Sequence, residues 1–193
     1  MTGVQTCALP IFESVARLRD PKSGTSIALI PGGITTEQRS PELVSLGTLY
    51  YQPLWVFSRG SLPQKHEPLR GLRVSIGPEG SSSRALSLEL LGRARLIDPK
   101  SATLLALTPA ESAQALLRDE IDVAIFLDGW ESPAVQQLLE TKDINLESIT
   151  RADAFVRIYT YLNKLVLPAG VVDMAEPRPP TDVILIEIGR AHV

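Results

Sequence analysis

Eight residues, Gly77-Pro-Glu-Gly-Ser-Ser-Ser-Arg84, put three hydroxyls, a guanidinium and a run of backbone amides in one short stretch. Gly77, Pro78 and Gly80 break any regular element. Ser81, Ser82 and Ser83 are residue types that open helices. A helix begun there presents unpaired N–H groups at the positive end of its dipole. Such a turn offers binding of a carboxylate, phosphate or sulfonate. Arg84 could pair with a carboxylate through both guanidinium nitrogens; as a first-turn surface arginine, or a tie to another lobe, it needs no ligand. Glu79 would repel a bound anion, so it points away or the ligand also carries an amine. A plain helix cap is the competing reading of the whole turn. The segment matches neither the dinucleotide fingerprint nor the P-loop, because no Gly-Lys-Ser/Thr follows.

Other candidates stand at the ends of apolar runs. Gly32 and Gly33 follow Ser26-Ile-Ala-Leu-Ile30, and Asp128-Gly129-Trp130 follows Ile121-Asp-Val-Ala-Ile-Phe-Leu127. Open parallel sheets bind ligands at the carboxyl ends of their strands, so these loops and the serine turn are expected to converge. Asp128 and Trp130 read equally well as an ordinary loop. Tyr50, Tyr51 and Trp55 could wall a cleft; Trp55 and one tyrosine read as packing, and Tyr51 as the residue on the wet side. His66, in a proline-flanked loop, reads as a solvated side chain and not a catalyst. Asp122 within a strand and the Asp119-Glu120 pair at a helix end need no catalytic role. No catalytic residue, metal ligand or cofactor is assigned, because no nucleophile is seen with a base to activate it.

The elements that must position these residues follow from local signals. Residues 13–20 form the tail of a helix ended by Pro21, and 26–30 a short buried strand. The aromatic and β-branched runs 43–50 and 51–58 read as strands, with Pro53 allowing only an edge or a bend. Leu72, Val74 and Ile76 alternate with polar residues, the period of a strand over 72–76, and the serines lead into a helix over 82–92. Thr108-Pro-Ala-Glu111 is a capping box with proline in the first helical position, predicting a helix to about Asp119. The near-continuous apolar run 121–127 suits a strand buried on both faces. Ser132-Pro133 opens a helix through Glu140. A strand over 144–149, an amphipathic helix over 153–163, and strands over 164–167 and from 181 complete the pattern. Alternation of strands and helices predicts an α/β fold with mostly parallel sheets.

Composition bounds the function class. The net charge is −3, with no basic stripe of the kind that binds nucleic acid. No apolar run approaches the roughly 20 residues of a membrane span. Both ends read as translated adapter DNA: Thr6-Cys-Ala-Leu-Pro-Ile11 can be encoded by a sequence whose reverse complement, in a shifted frame, encodes Ile188-Gly-Arg-Ala-His-Val193. Residues 1–11 and 187–193 are therefore set aside as non-native. Cys7, the single cysteine, and His192 go with them, and with them any disulfide or Cys/His metal site.

A resemblance rests on several segments in order: Leu46-Gly-Thr-Leu-Tyr-Tyr-Gln-Pro-Leu-Trp-Val-Phe57, the stretch Leu69 to Leu91, Glu120-Ile-Asp-Val-Ala-Ile-Phe126, Leu167-Pro-Ala-Gly-Val-Val-Asp173 and Pro179-Pro-Thr-Asp-Val183. Together they resemble the TAXI-type solute-binding proteins of TRAP transporters. The family's loop reads Gly-Ser-Gly-Thr-Arg; here Gly80-Ser81 and Arg84 match, while Ser82 and Ser83 replace Gly and Thr. The resemblance implies a two-lobed periplasmic-binding-protein-like fold. Residues 12–68 would be an incomplete first lobe, 69–166 a second lobe and 167–186 a return segment. The family's early glycine-rich ligand loop would lie before residue 12. The resemblance also implies a monomeric periplasmic or otherwise extracytoplasmic receptor, tethered to the membrane in some members. It would bind a small organic anion or amino acid and deliver it to an ion-gradient-driven TRAP permease. The candidate ligand residues are then the loop Gly80, Ser81, Ser82, Ser83 and Arg84 that the resemblance points to, with Gly32, Gly33, Tyr51, Asp128 and Trp130 from the strand ends and the aromatic run. The alternatives are an enzyme of the phosphoribosyl-transfer type on the same fold, the effector domain of a transcription factor, and the receptor of an ATP-driven importer.

Overall fold

A computed structural model describes residues 11–60, 62, 69–97 and 102–192. Along the chain run α1 (Ile11–Arg19), β1 (Leu29–Pro31), β2 (Gly47–Arg59), β3 (Arg73–Ser75), α2 (Ser82–Arg93), β4 (Thr103–Leu105), α3 (Pro109–Leu117) and β5 (Val123–Leu127). They are followed by α4 (Pro133–Glu140), β6 (Ile144–Leu146), α5 (Ala152–Ile158), β7 (Leu162–Leu167) and β8 (Val183–His192). The eight strands form one sheet, ordered β1-β8-β2-β5-β3-β4, with β6 also paired to β2 and β7 to β8.

The α/β class holds, but the sheet is mixed and not mostly parallel. β3 pairs parallel with β4 and β5; the pairings of β2 with β5, β6 and β8, and of β8 with β1 and β7, are antiparallel. Helical crossovers force parallel strands, and β3, β4 and β5 are the strands that α2 and α3 connect. β2 and β8 enter by loops, and periodicity carries no information on their direction.

Runs 43–50 and 51–58 merge into the single long β2, an interior strand despite Pro53. The proline falls one residue past Leu54↔Leu127, the last pair with β5. Its carbonyl accepts from Asp128 N at 3.3 Å, so no ladder donor is lost there. The helix expected to reach residue 163 stops at Ile158, because Leu162 pairs with Ile188 and starts β7. β4 had no counterpart in the sequence reading. The segment set aside at 187–193 continues β8 as far as His192.

Alternation sends successive side chains to opposite faces. Val123, Ile125 and Leu127 of β5 pack with Leu86, Leu90 and Leu91 of α2 and with Phe155 of α5. Ala124 and Phe126 face the other way, onto Trp55, Phe57, Leu116 of α3 and Leu138 of α4. α3 begins with the expected box: the Thr108 hydroxyl accepts from Glu111 N, and the Glu111 carboxylate accepts from Thr108 N at 2.8 Å. It ends on Arg59, whose guanidinium donates to the carbonyls of Leu116 at 2.9 Å and Leu117 at 2.7 Å, an arrangement that suits the negative end of the dipole.

Asp122 anchors the start of β3. Its carboxylate accepts from Arg73 N at 2.7 Å, Nε at 3.1 Å and Nη2 at 2.9 Å. These bonds, led by the side-chain contact and opposed by burial, hold the carboxyl below its ordinary value of 3.8. A depressed carboxyl stabilises the fold above its unfolded value and loses that contribution as pH falls through the folded one. Urea midpoints should therefore decline below pH 3.8, and Asp122→Asn should flatten that part of the decline. Parallel profiles for the two proteins would show that the pair is not coupled to folding.

Candidate functional site

The serine turn is assembled by β3, β5 and α2. β3 ends at Ser75, whose buried hydroxyl is 2.7 Å from that of Ser112. Gly77 follows with φ +96°, where a Cβ would stand 2.7 Å from Ser83 Cβ and 2.9 Å from Ser81 Oγ. Only glycine fits there. Gly80, φ +74°, completes the turn. Ser81 is the N-cap of α2: its hydroxyl accepts from Arg84 N at 3.2 Å and donates to Pro78 O at 2.7 Å. The Arg84 guanidinium lies partly buried over the turn, 3.4 Å from Gly77 O.

The other two serines are also spoken for within the fold. Ser83 is buried, and its hydroxyl accepts from Leu127 N at 2.9 Å. It pairs the last amide of β5, which has no strand beyond it. Ser82, also buried, accepts from Arg190 Nη2 at 3.1 Å, and Arg190 Nε donates to Gln52 Oε1 at 2.7 Å. Burial pulls the Arg190 pKa below its ordinary value. The turn thus carries two guanidiniums, Arg84 and Arg190, at the positive end of α2, an arrangement that attracts anions.

β8 draws further candidates to this end. Gly32 N donates to Gly189 O at 2.9 Å, and Tyr51 pairs with Gly189. Tyr51 is on the wet side as expected, but Tyr50 is exposed too. Gly33 (φ +76°) lies against the Tyr161 ring, which a Cβ would reach at 2.4 Å. Gly32, Gly33 and residues 80–84 are therefore connected through β8, whereas Tyr51, in phase with Trp55, turns its side chain to the other face of the sheet.

Asp128 stands at the same edge, one residue past Leu127, whose amide donates to Ser83, but its side chain is engaged in its own loop, and Trp130 lies on the other face. The Asp128 carboxylate caps its own loop, accepting from Gly129 N at 2.9 Å and Ser132 Oγ at 2.6 Å. Trp130 packs on Trp55, ring centroids 6.1 Å apart, on the α3–α4 face. The sheet separates it from α2. β3 and β5 are parallel, so both loops leave the same edge, and the side of the sheet to which each turns separates Trp130 from the serines. His66 lies outside the described residues. Arg190 and Gln52 were missed. Arg190 sits in the segment set aside, and Gln52 carried only the polar phase of a strand as a signal. Among the described residues no group of three His, Cys, Asp or Glu side chains is placed to hold a metal ion, and no helix is long and apolar enough to cross a membrane.

Residues 32–181 match the model of the NMT1-like family. The chain belongs to the NMT1-like family. No curated protein matches this NMT1-like chain. Solved structures similar to it include the periplasmic aliphatic sulphonate binding protein SsuA from Escherichia coli, with 23% identity, TM-score 0.40, and cover of 49% of this chain and 29% of that one. Another is an ABC transporter from Parabacteroides distasonis, with 15% identity, TM-score 0.44 and cover of 92% and 52%. A third is a nutrient binding protein from Burkholderia cenocepacia bound to methionine, with 18% identity, TM-score 0.42 and cover of 93% and 60%. The NMT1-like chain spans between 29% and 60% of the length of these three.

Proposed function

We propose that the chain is part of an extracytoplasmic solute receptor that binds a small organic anion or amino acid without turning it over. The observation that carries this reading is the start of α2, where the Arg84 guanidinium, the capping Ser81 and the first helical amides share one corner of the fold. An acid group placed there gains charge-assisted hydrogen bonds and the helix dipole together. Gly32, Gly33 and Asp128 would lie beside the acid group at this edge, whereas Tyr51 and Trp130, on the α3–α4 face, would contact the ligand only if it reached around the end of the sheet. Strands of 12–68, 69–166 and 167–186 share one sheet, so closure of a further lobe over this corner would shield the solute from water.

In the TAXI-type reading the loaded receptor docks on a TRAP permease driven by an ion gradient. The other reading makes the partner the permease of an ATP-driven importer, the transporter class named for the Parabacteroides distasonis neighbour. Uptake of solute by vesicles carrying either permease, with an ion gradient or with ATP as the sole energy source, separates the two.

Calorimetric titration of the chain with dicarboxylates and amino acids tests the site. Arg84→Ala is expected to weaken the best of them about tenfold to a hundredfold, the worth of one charge-assisted hydrogen bond, with the melting temperature unchanged. Unchanged affinity would place the acid group elsewhere.

A further inference from the structure

The two flanks of β2 are unequally covered. β8 lies along one flank from Gly47 to Leu54, whereas β5 meets the other only from Leu54 onward. Among the described residues no strand lies against that second flank between Gly47 and Pro53. The backbone groups that face it follow from the ladder. A residue in an antiparallel ladder turns its N–H and C=O to the same flank, and the flank alternates along the strand. Gly189 O accepts from Gly32 N, just past β1, so Gly189 turns toward β1. Ala191, opposite Ile30, turns the same way. Their partners on β2, Tyr51 and Thr48, therefore turn their amides and carbonyls outward, to the open flank. Pro53 agrees, since its carbonyl accepts from Asp128 N on that flank.

The side chains along this edge are apolar and stand in water: Leu46, Leu49, Tyr50 and Tyr51 are 67%, 55%, 44% and 48% exposed. Edges are ordinarily guarded by lysine, another charge or proline, yet Leu43 to Gln52 holds none of these. We propose that two copies of this chain pair through this flank of β2, antiparallel, about a two-fold axis between Leu49 and Tyr50. Thr48 of each copy then stands opposite Tyr51 of the other, and each such pair exchanges both its N–H···O=C bonds. The occupant is a second copy because the edge is its own complement: every group it offers is one that it also accepts, and no charge repels its twin. Size agrees. Half of a tyrosine's area is about 100 Å², and four such side chains on each copy, with the paired backbone, reach roughly the 1,000 Å² at which specific interfaces begin. The dimer departs from the monomer that the resemblance implies, and it rests on the sheet and not on the receptor reading.

The test is sedimentation of the full chain at about 1 to 100 µM, the range in which modest interfaces dissociate. The mass is expected to rise from one copy toward two, with hydrogen exchange of the Thr48 and Tyr51 amides slowing in step. Tyr51→Pro deletes an outward donor and no bond to β8, and should weaken pairing about tenfold to a hundredfold. Leu49→Lys sets two ammonium groups side by side across the axis; it should hold the chain as a monomer and leave its melting temperature in dilute solution unchanged. A chain that stays monomeric at the top of the range overturns the proposal. So does a dimer that survives either substitution, and so does growth past two copies, because a two-fold contact closes on itself. If Tyr51→Pro does not fold, Leu49→Lys and the exchange of the two amides decide.

Discussion

Replacing Trp55 with alanine is expected to cost about 3–5 kcal/mol of folding stability, the range for emptying a fully buried aromatic site. Trp55 is completely buried. Its ring lies near-parallel to Phe57 at 5.9 Å and tilted to Trp130 at 6.1 Å. Its Nε1 also donates to Asp128 O at 3.0 Å, tying β2 to the loop after β5. Alanine removes the filler from the α3–α4 core, the aromatic contacts and the hydrogen bond at once. Domains are stable by only about 5–15 kcal/mol, so one substitution takes a large share. Trp55→Phe keeps most of the packing and loses the hydrogen bond, at about 1–2 kcal/mol. Urea unfolding followed by Trp130 fluorescence measures both. A Trp55→Ala cost below about 1 kcal/mol would mean that this face of the sheet is not organised around the tryptophan.

Ending the chain after Ile186 is expected to have an effect of similar size, about 4 kcal/mol or more. Residues 187–192 supply every partner of β1 and the partners of β2 from Gly47 to Pro53. Ile188 is buried on the α2 side, where losing such a side chain alone costs about 2–5 kcal/mol. The melting temperature should fall by roughly 8–16 °C. Protease should then cut first within residues 20–53, which lose their ladder. The truncation also removes Arg190 and so releases the Ser82 hydroxyl. An unchanged melting temperature would show that this segment contributes nothing to the sheet. The amino acids at 187–192 read as translated adapter, yet they form a strand. Pairing asks only for backbone N–H and C=O groups and an apolar residue at alternate positions, and Ile186 and Ile188 meet that second requirement.

Local chemistry made much of the fold legible. The capping box at Thr108, the serine start of α2, the proline start of α4 and the alternation of β3 each depend on residues within a turn or two of one another, so the chain alone determined them. The α/β class followed from the same signals, since helices between strands dictate the parallel run of β3, β4 and β5. What the tertiary structure decided depends on residues far apart. Ser83 meets Leu127 across 44 positions, Ser82 meets Arg190 across 108, and Gln52 meets Arg190 across 138. The serine turn was visible as a cluster of donors; that one hydroxyl would be spent on β5 and another on an arginine was not. The direction of β2 and β8 and the placement of Trp130 behind the sheet belong with these. Each is a choice among partners of equal local propensity, and only packing, which acts through space and not along the chain, makes that choice.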